Sequence, residues 1–300
     1  MDDFVNLHVH TLFSKQDAII KIDDLVNKVK EYGQFAVAVT DHSSTAAHYY
    51  LSESCKKQGI KPIFGNEFYT NISYEHKDRN RNHLVCLGMT DEGVRNINRL
   101  QNIAVLPEHR YYKPIVSEEI LPDFTEGIFA TSACSLGKIS QLILSNQFDD
   151  AIDYCEWFAD IFNENFALEL QMHPDYPEQK FVNNNLVSLS EELGIPLIVT
   201  SDAHFLVKED ADIRRDIQCI AWKKLYKDGR DSLLSNCLGN TEIIIQNTKL
   251  SGFDTDIIKR AIKNTNKIAK KCNGQLCDSE RKVPVFNKFK EFDELFNEVV

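Results

Sequence analysis

The sequence predicts an α/β protein built on a closed (β/α) barrel. Short apolar runs rich in β-branched residues alternate with helical patterns along most of the chain, as in sheets whose strands are joined by crossover helices. The strand-like runs cover residues 4–10, 35–42, 61–70, 83–89, 127–134, 166–173 and 195–204. So many strands within about 200 residues favour a closed barrel over an open sheet.

Helical patterns occupy most of the intervals between the strand-like runs. They cover residues 23–32, 46–58, 92–102, 149–162 and 178–193. The segment 70–82 is too polar and too charged for a crossover helix. We therefore expect the two strands on either side of it to form an antiparallel hairpin.

The composition is that of an ordinary globular protein, with 43% hydrophobic and 26% charged residues in a chain of 300. No apolar run approaches the roughly 20 residues of a membrane span, and the start MDDFVNLHVH does not resemble a secretory signal. The eight cysteines lack a framework spacing, which favours reduced thiols and a cytoplasmic location. A net charge of −11 argues against a broad basic face for nucleic acid, although bound cations would still permit a phosphate substrate.

Two doublets of metal-binding residue types lie far apart in the sequence, one near the start of the chain and one about 200 residues further on. His8 and His10 occur in NLHVH, and Asp202 and His204 occur in TSDAH. Residues two apart on a strand point to the same face, so each doublet can direct both side chains at one point. Imidazole and carboxylate are common ligands of zinc, manganese and iron. One such doublet is as often accidental as functional, but two together predict a metal site.

Further candidate ligands fall where strand-like runs end. The residues that close such runs are His10, His42, Cys134, His173 and His204. The carboxyl ends of the strands form the face of a (β/α) barrel where chemistry takes place. Glu67 lies beside Gly65, where a bend could expose the carboxylate, and the expected hairpin would bring His83 to the same end. Asp17 follows the first strand on a loop that would cover this face.

The chain resembles the polymerase and histidinol phosphatase (PHP) superfamily, and within it the N-terminal PHP domain of bacterial DNA polymerase III alpha subunits. The resemblance is carried, in family order, by LHVHTLFSKQDA, AVTDHSS, GNEFY, HLVCLGMTDEGVRNINRLQ, ATSACSLGKIS, TSDAHFLVKEDADIRRDIQCI and NTNKIAKKCN. It implies a distorted seven-stranded (β/α) barrel, the PHP fold, with a C-terminal helical extension. Residues 1–280 would form the PHP domain and residues 281–300 a C-terminal tail or linker.

The resemblance also implies two or three divalent ions of zinc, manganese or iron. In the implied arrangement, Glu67 would bridge the first two ions. The first ion would also be held by His8, His10 and Asp202, and the second by His83 and Cys134. The third ion would be held by Asp17, His42 and His204. Every one of these positions holds a residue able to ligate, which favours an active enzyme. Ala133 stands where the family often has glycine.

Four residues are expected to act in catalysis. Asp202 and His204 would do so as ligands. Asp41, beside His42, is expected to orient an imidazole, with direct ligation as the alternative. His173 is expected to contact the substrate or protonate the leaving group, and a structural role is the alternative.

Basic residues flank the expected active face around Tyr111 and Tyr112. They are Arg79, Arg81, Arg110 and Lys113. A basic and aromatic cluster can hold single-stranded nucleic acid, although a solvated loop is the somewhat favoured alternative. For Lys208, Arg214 and Arg215, on the helix after TSDAH, we expect a surface role.

The leading functional hypothesis is a metal-dependent 3′–5′ exonuclease that acts on DNA, linked to replication or proofreading for a polymerase catalytic subunit in trans. One alternative is a phosphatase or phosphodiesterase acting on small nucleotides or phosphomonoesters. A non-catalytic scaffold that binds a polymerase is the other. The palm domain of the polymerases is missing, so no polymerase activity is expected in this chain, which would be either a fragment or a free-standing PHP protein. No membrane partner is expected.

Overall fold

The computed structural model of the protein describes residues 4–75, 81–225 and 233–276. The tail expected at 281–300, and with it the domain boundary at residue 280, lies outside the described residues. The strands are β1 (Ala36–Val39), β2 (Lys61–Asn71), β3 (Asn82–Gly88), β4 (Arg110–Tyr111), β5 (Lys113–Pro114), β6 (Val116–Ser117), β7 (Ile128–Thr131), β8 (Phe166–Gln171) and β9 (Leu197–Thr200). The helices are α1 (Ile22–Glu31), α2 (His48–Gln58), α3 (Asp91–Ala104), α4 (Lys138–Leu144), α5 (Phe148–Phe162), α6 (Pro177–Leu193), α7 (Ala211–Trp222), α8 (Thr241–Leu250) and α9 (Thr255–Lys271).

Seven of the strands form one mixed sheet in the order β1-β2-β3-β7-β8-β9, with β6 paired to β2. The pairs β1–β2, β7–β8 and β8–β9 are parallel. Strand β3 runs antiparallel to both of its neighbours, and Tyr69 of β2 faces His83 of β3. The predicted hairpin is therefore confirmed, and it returns His83 to the end of the sheet where Glu67 lies.

Residues 4–10 close the sheet into a ring, although they form isolated bridges rather than a regular strand. On one side, the amide N–H of Ala38 donates to the carbonyl oxygen of Asn6 at 2.8 Å. On the other side, the amide N–H of His10 donates to the carbonyl oxygen of Ala203 at 2.8 Å. The strand order thus returns to its start, which confirms the predicted distorted (β/α) barrel.

The C-terminal helical extension is part of the barrel core. Ile268 and Ala269 of α9 belong to one buried apolar cluster with Ala38, Val85 and other strand residues. Small side chains on the strands leave room for α9, and Thr265 Oγ1 accepts a hydrogen bond from the amide of Val199 in β9 at 3.1 Å. Within the described parts of the chain, no helix has the length and apolarity needed to cross a membrane.

Replacing Ile268 by alanine tests the role of α9. Ile268 is 6% exposed within the apolar cluster, so Ile268→Ala should cost about 2–5 kcal/mol of unfolding free energy by opening a cavity. The matched control Ile220→Ala, at a side chain 74% exposed, should change stability by at most about 0.5 kcal/mol. Urea unfolding followed by circular dichroism measures both values. Equal losses in the two variants would show that α9 is not part of the core.

Candidate metal centre

All of the predicted metal ligands lie together at the end of the barrel where the parallel strands terminate. They are His8, His10, Asp17, His42, Glu67, His83, Cys134, Asp202 and His204. Most of them line a cavity of about 500 Å³. Two residues at strand ends, Ala133 and Asp202, adopt left-handed backbone conformations with φ of 59° and 46°. This explains why glycine would suit position 133, since it adopts positive φ without strain.

Four imidazoles converge on the buried carboxylate of Glu67. Its Oε1 lies 2.9 Å from Nδ1 of His83 and 3.3 Å from Nε2 of His8. Its Oε2 lies 2.8 Å from Nδ1 of His42 and 3.2 Å from Nε2 of His10. Glu67 is 1% exposed. A single side chain therefore contacts four imidazoles from three separate parts of the chain.

Asp202 and Cys134 complete this side of the cluster. Oδ1 of Asp202 lies 3.3 Å from Nε2 of both His8 and His10. The Sγ atom of Cys134 lies 3.4 Å from Nδ1 of His83. Imidazole, carboxylate and thiol groups thus lie within a few ångströms of one another, a donor set that suits zinc, manganese or iron.

Asp17 lies on the opposite side, between two histidines. Its Oδ2 is 3.1 Å from Nε2 of His42 and 3.3 Å from Nε2 of His204. His42 therefore faces Asp17 with one ring nitrogen and Glu67 with the other. This geometry connects the two halves of the cluster through one imidazole.

Hydrogen bonds at Nδ1 leave the Nε2 atoms of three rings directed into the cluster. Nδ1 of His8 contacts Glu169 at 2.7 Å, that of His10 contacts Ser14 Oγ at 2.9 Å, and that of His204 contacts the carbonyl oxygen of Asp202 at 2.8 Å. A carboxylate and a carbonyl can only accept, so His8 and His204 donate from Nδ1 and present Nε2 as a ligand.

Several atoms in the cluster have no hydrogen-bond partner although they are buried. Nδ1 of His42 and Oε2 of Glu67 lie 2.8 Å apart but not in hydrogen-bonding geometry, and Oδ1 of Asp202, 3.3 Å from two imidazole nitrogens, also lacks a hydrogen bond. Buried polar atoms are normally satisfied, because leaving one unpaired costs free energy. The ligand atoms of His8, His10 and Glu67, and those of His42, Glu67 and His83, come within 4.8 Å of one another. The side chains present therefore fit divalent ions that share Glu67.

The electrostatics of the cluster favour charged groups despite burial. Burial alone would raise the pKa of Glu67, but His83, His8 and His42 hold it well below its usual range. Burial likewise opposes a charge on His42, whereas Glu67 and Asp17 raise its pKa to about 10. A divalent ion that binds here would have to displace protons from imidazoles.

Glu169 is a functional candidate that the sequence reasoning missed. Its buried carboxylate accepts a hydrogen bond from Nδ1 of His8. It accepts further hydrogen bonds from Thr131, Thr200 and Gln171. It thereby fixes the orientation of the His8 ring. The available signal was a glutamate at an inward position of the otherwise apolar run FALEL.

Asp41 lies outside the cluster and reaches it through a serine. Its carboxylate accepts hydrogen bonds from the amide and the hydroxyl of Thr11 at 2.6 and 2.7 Å, and from Ser14 Oγ at 2.7 Å. Since the Ser14 hydroxyl donates to Asp41, its oxygen accepts from Nδ1 of His10. Asp41 thus contacts the ring of His10 through Ser14, and the orienting role expected for it stays a prediction.

The surface role expected for Arg214 is wrong. This side chain of α7 is 7% exposed and donates to the backbone oxygen and to Oδ1 of Asp17, both at 2.8 Å. Gln218 donates to the same Oδ1 at 2.8 Å. Oδ1 of Asp17 is thus occupied, which leaves Oδ2 to face the histidines. Burial alone would raise the pKa of Asp17, but His204, His42 and Arg214 hold it well below its usual range.

His173 lines the same cavity but is separate from the ligand cluster. Its Nδ1 lies 2.9 Å from Oγ of Ser235, and the Ser235 hydroxyl donates to Asp175. The serine oxygen therefore accepts from Nδ1 of His173. Nε2 of His173 is buried and has no hydrogen-bond partner. The imidazole thus presents an unpartnered nitrogen at the cavity wall.

The predicted substrate-binding cations do not all reach the site. Lys113 lines a cavity beside the metal centre. Arg81 donates instead to the carbonyl oxygen of Tyr111 at 2.8 Å, and Arg110 is exposed on β4. Arg79 lies outside the described residues. Lys113 is thus the described member of this set that lines a cavity shared with ligands of the cluster.

Comparison with known proteins agrees with the resemblance seen in the sequence. The family model of the PHP domain matches residues 6–173. The DNA polymerase III subunit alpha of Borreliella burgdorferi is 35% identical over 277 residues, which cover 90% of this chain and 24% of the relative. The same subunit of Aquifex aeolicus is 36% identical over 233 residues, which cover 74% of this chain and 20% of the relative. The chain therefore spans about a quarter or less of the length of these curated relatives.

A solved structure from Bacteroides vulgatus, described as a two-domain protein containing a predicted PHP-like metal-dependent phosphoesterase, aligns over 67% of this chain and 52% of its own length. The sequence identity is 14% and the TM-score 0.41. This similarity is too distant to bear on function.

The isosteric variant Glu67→Gln tests whether this carboxylate is shared between ions. Removing its charge should lower the bound metal by more than one equivalent per chain, because ions on both sides of Glu67 would lose a ligand. Glu191→Gln, at an exposed position, is the matched control. Mass spectrometric metal analysis after dialysis gives the ratios. A Glu67→Gln protein with the full wild-type metal content would remove Glu67 from the site.

Proposed function

Since the chain belongs to the PHP domain family, we propose that it is a metal-dependent phosphoesterase, and specifically a 3′–5′ exonuclease that acts on DNA. The observation that carries the proposal is the buried convergence of imidazoles and carboxylates on Glu67. Divalent ions in such a site supply an activated water and neutralise charge on the phosphoryl group. The relatives are DNA polymerase III alpha subunits, which favours DNA as the substrate and a polymerase as the partner in trans.

The proposed ligands of each ion are grouped by the side of the cluster on which they lie. His8, His10 and Asp202 would hold one ion, His83 and Cys134 a second, and Asp17, His42 and His204 a third, with Glu67 shared by the first two. Asp202 and His204 lie on one short segment after β9 and face different sides. A change at either residue would therefore disturb the site with little effect on the apolar core.

His173 is the proposed proton donor to the leaving oxygen. Its Nδ1 is held by Ser235 and Asp175, so a proton on Nε2 would point at the cavity. Burial lowers the pKa of His173, while the charges of Asp202 and Asp175 oppose this shift. The negative charge of a bound phosphate would favour the protonated form further.

Phosphatase or phosphodiesterase activity on small nucleotides is the second candidate. The net charge of −11 and a metal-centre cavity of about 500 Å³ favour a compact ligand. A non-catalytic scaffold is disfavoured, because an apolar barrel end would stabilise the fold without a buried array of charged groups.

Asp202→Asn separates catalysis from scaffolding. The variant keeps the side-chain shape but removes charge from the cluster, so hydrolysis should fall by at least about a hundredfold while the fold survives. The substrates are labelled single-stranded DNA, primed duplex and p-nitrophenyl phosphate, supplied with manganese, zinc or iron. The control is Asp160→Asn, at an exposed position.

Preference for the DNA substrates supports the exonuclease, and preference for p-nitrophenyl phosphate supports the second candidate. Full activity in Asp202→Asn would show that hydrolysis does not take place at the cluster around Glu67. A wild-type protein that hydrolyses none of the substrates would leave the scaffold as the function.

The variant His173→Gln tests the proton donor through its dependence on the leaving group. Cleavage of the dinucleotide TpT, which expels a basic alkoxide, should slow by about a hundredfold or more. Cleavage of thymidine p-nitrophenyl phosphate should slow by less than about tenfold, because nitrophenolate leaves without a proton. Equal losses of kcat on both substrates would indicate a structural role for His173.

A further inference from the structure

A second cavity adjoins the metal centre on the side of Asp17. It has a volume of about 520 Å³. It shares Asp17, His42 and Trp222 with the metal-centre cavity. The two spaces are thus neighbours, and Trp222, which is 48% exposed, stands on their common wall. A substrate bound at the metal centre would therefore lie next to the second cavity.

The second cavity carries positive charge close to the ligand cluster. Lys15 and Lys113 both line it. Nζ of Lys113 lies 5.5 Å from the ring centroid of Tyr69, and this ring stacks on that of His42 at 5.5 Å. The cation is therefore separated from a proposed metal ligand by one aromatic ring. A cation in this position suits an anionic group that is directly attached to the part of the substrate bound at the metal centre.

A buried hydroxyl in the same cavity lacks a partner. Ser43 lines the cavity, is 9% exposed, and its Oγ makes no hydrogen bond. Its backbone is held at a φ of 40°, and its amide donates to the carbonyl oxygen of Glu67 at 2.9 Å. An unpartnered buried hydroxyl costs free energy unless a ligand satisfies it. Ser43 thus offers a fixed donor beside the flexible Lys113.

We propose that this second cavity binds the phosphate of the nucleotide next to the scissile linkage. The inference rests on the proposed function and adds a substrate requirement, namely a second phosphate one unit away from the reacting one. Lys113 and Lys15 supply charge, and the Ser43 hydroxyl supplies a directed hydrogen bond. Trp222 offers a face on which the intervening base stacks.

The test compares three thymidine oligomers that differ only at the linkage next to the scissile one. TpT lacks that phosphate, TpTpT contains it, and TpTpT with a methylphosphonate at the non-scissile linkage keeps the length but loses the charge. The wild-type protein should show a KM about tenfold lower for TpTpT than for the other two, the scale of a charge-assisted hydrogen bond. In Lys113→Ala and Ser43→Ala most of this advantage should disappear, whereas the exposed control Lys263→Ala should retain it.

Fluorescence titration with the same oligomers in Ca²⁺ gives dissociation constants without turnover. They should show the same order, with the methylphosphonate oligomer about tenfold weaker than TpTpT. This second readout separates the subsite from the proposed function, since binding preference can persist when hydrolysis is absent.

Equal affinity of the wild-type protein for TpTpT and its methylphosphonate form would overturn the subsite. The subsite would also be overturned if Lys113→Ala lowered the affinity for the methylphosphonate oligomer as much as the affinity for TpTpT. The same phosphate chemistry could come from the terminal phosphate of a small nucleotide. A Lys113-dependent affinity for ADP without one for TpTpT would therefore contradict the assignment to a polynucleotide.

Discussion

The carboxylate of Glu67 is almost completely buried, and an isolated charge in such a position costs many kcal/mol unless partners compensate it. The compensation comes from imidazoles at positions 8, 10, 42 and 83, which belong to three separate segments of the chain. The barrel must close correctly for these rings to meet. Burying so many charged groups at one end of the barrel costs free energy. Cations that bind among these groups would offset that cost, so the same residues form a strong cation site.

The closure of the barrel and the assembly of the cluster use the same residues. The backbone of His10 pairs with Ala203, so the doublet His8 and His10 lies directly beside the doublet Asp202 and His204. The surrounding hydrogen bonds then hold three of the ligands. Glu169 fixes one ring, Asp41 contacts another through a serine, and Arg214 fixes the carboxylate of Asp17. His8, His10 and Asp17 are therefore held in place by neighbouring side chains before any ion binds.

Local sequence patterns predicted strands β1–β3 and β7–β9, helices α1–α3, α5 and α6, and the end of the barrel on which the ligands fall, because these depend on periodicity and on neighbouring residues. The first expected strand is an exception, since residues 4–10 pair only at isolated bridges. The supporting contacts were not predictable in this way. In the sequence, Glu169 is one polar residue within an apolar strand, and Arg214 is one of several basic residues on a helix. Their partners, His8 and Asp17, are far away in the sequence, so only the folded chain shows what they do.

We propose that divalent ions lie on both sides of Glu67. Anomalous diffraction from crystals of the protein grown with Mn²⁺ tests it most directly, because data at the manganese edge locate the ions without reference to activity. Anomalous peaks should appear on both sides of the Glu67 carboxylate, with His8 and His10 beside one peak and His83 and Cys134 beside the other. A map with no peak in contact with Glu67, from crystals in which the cluster is intact, would contradict it.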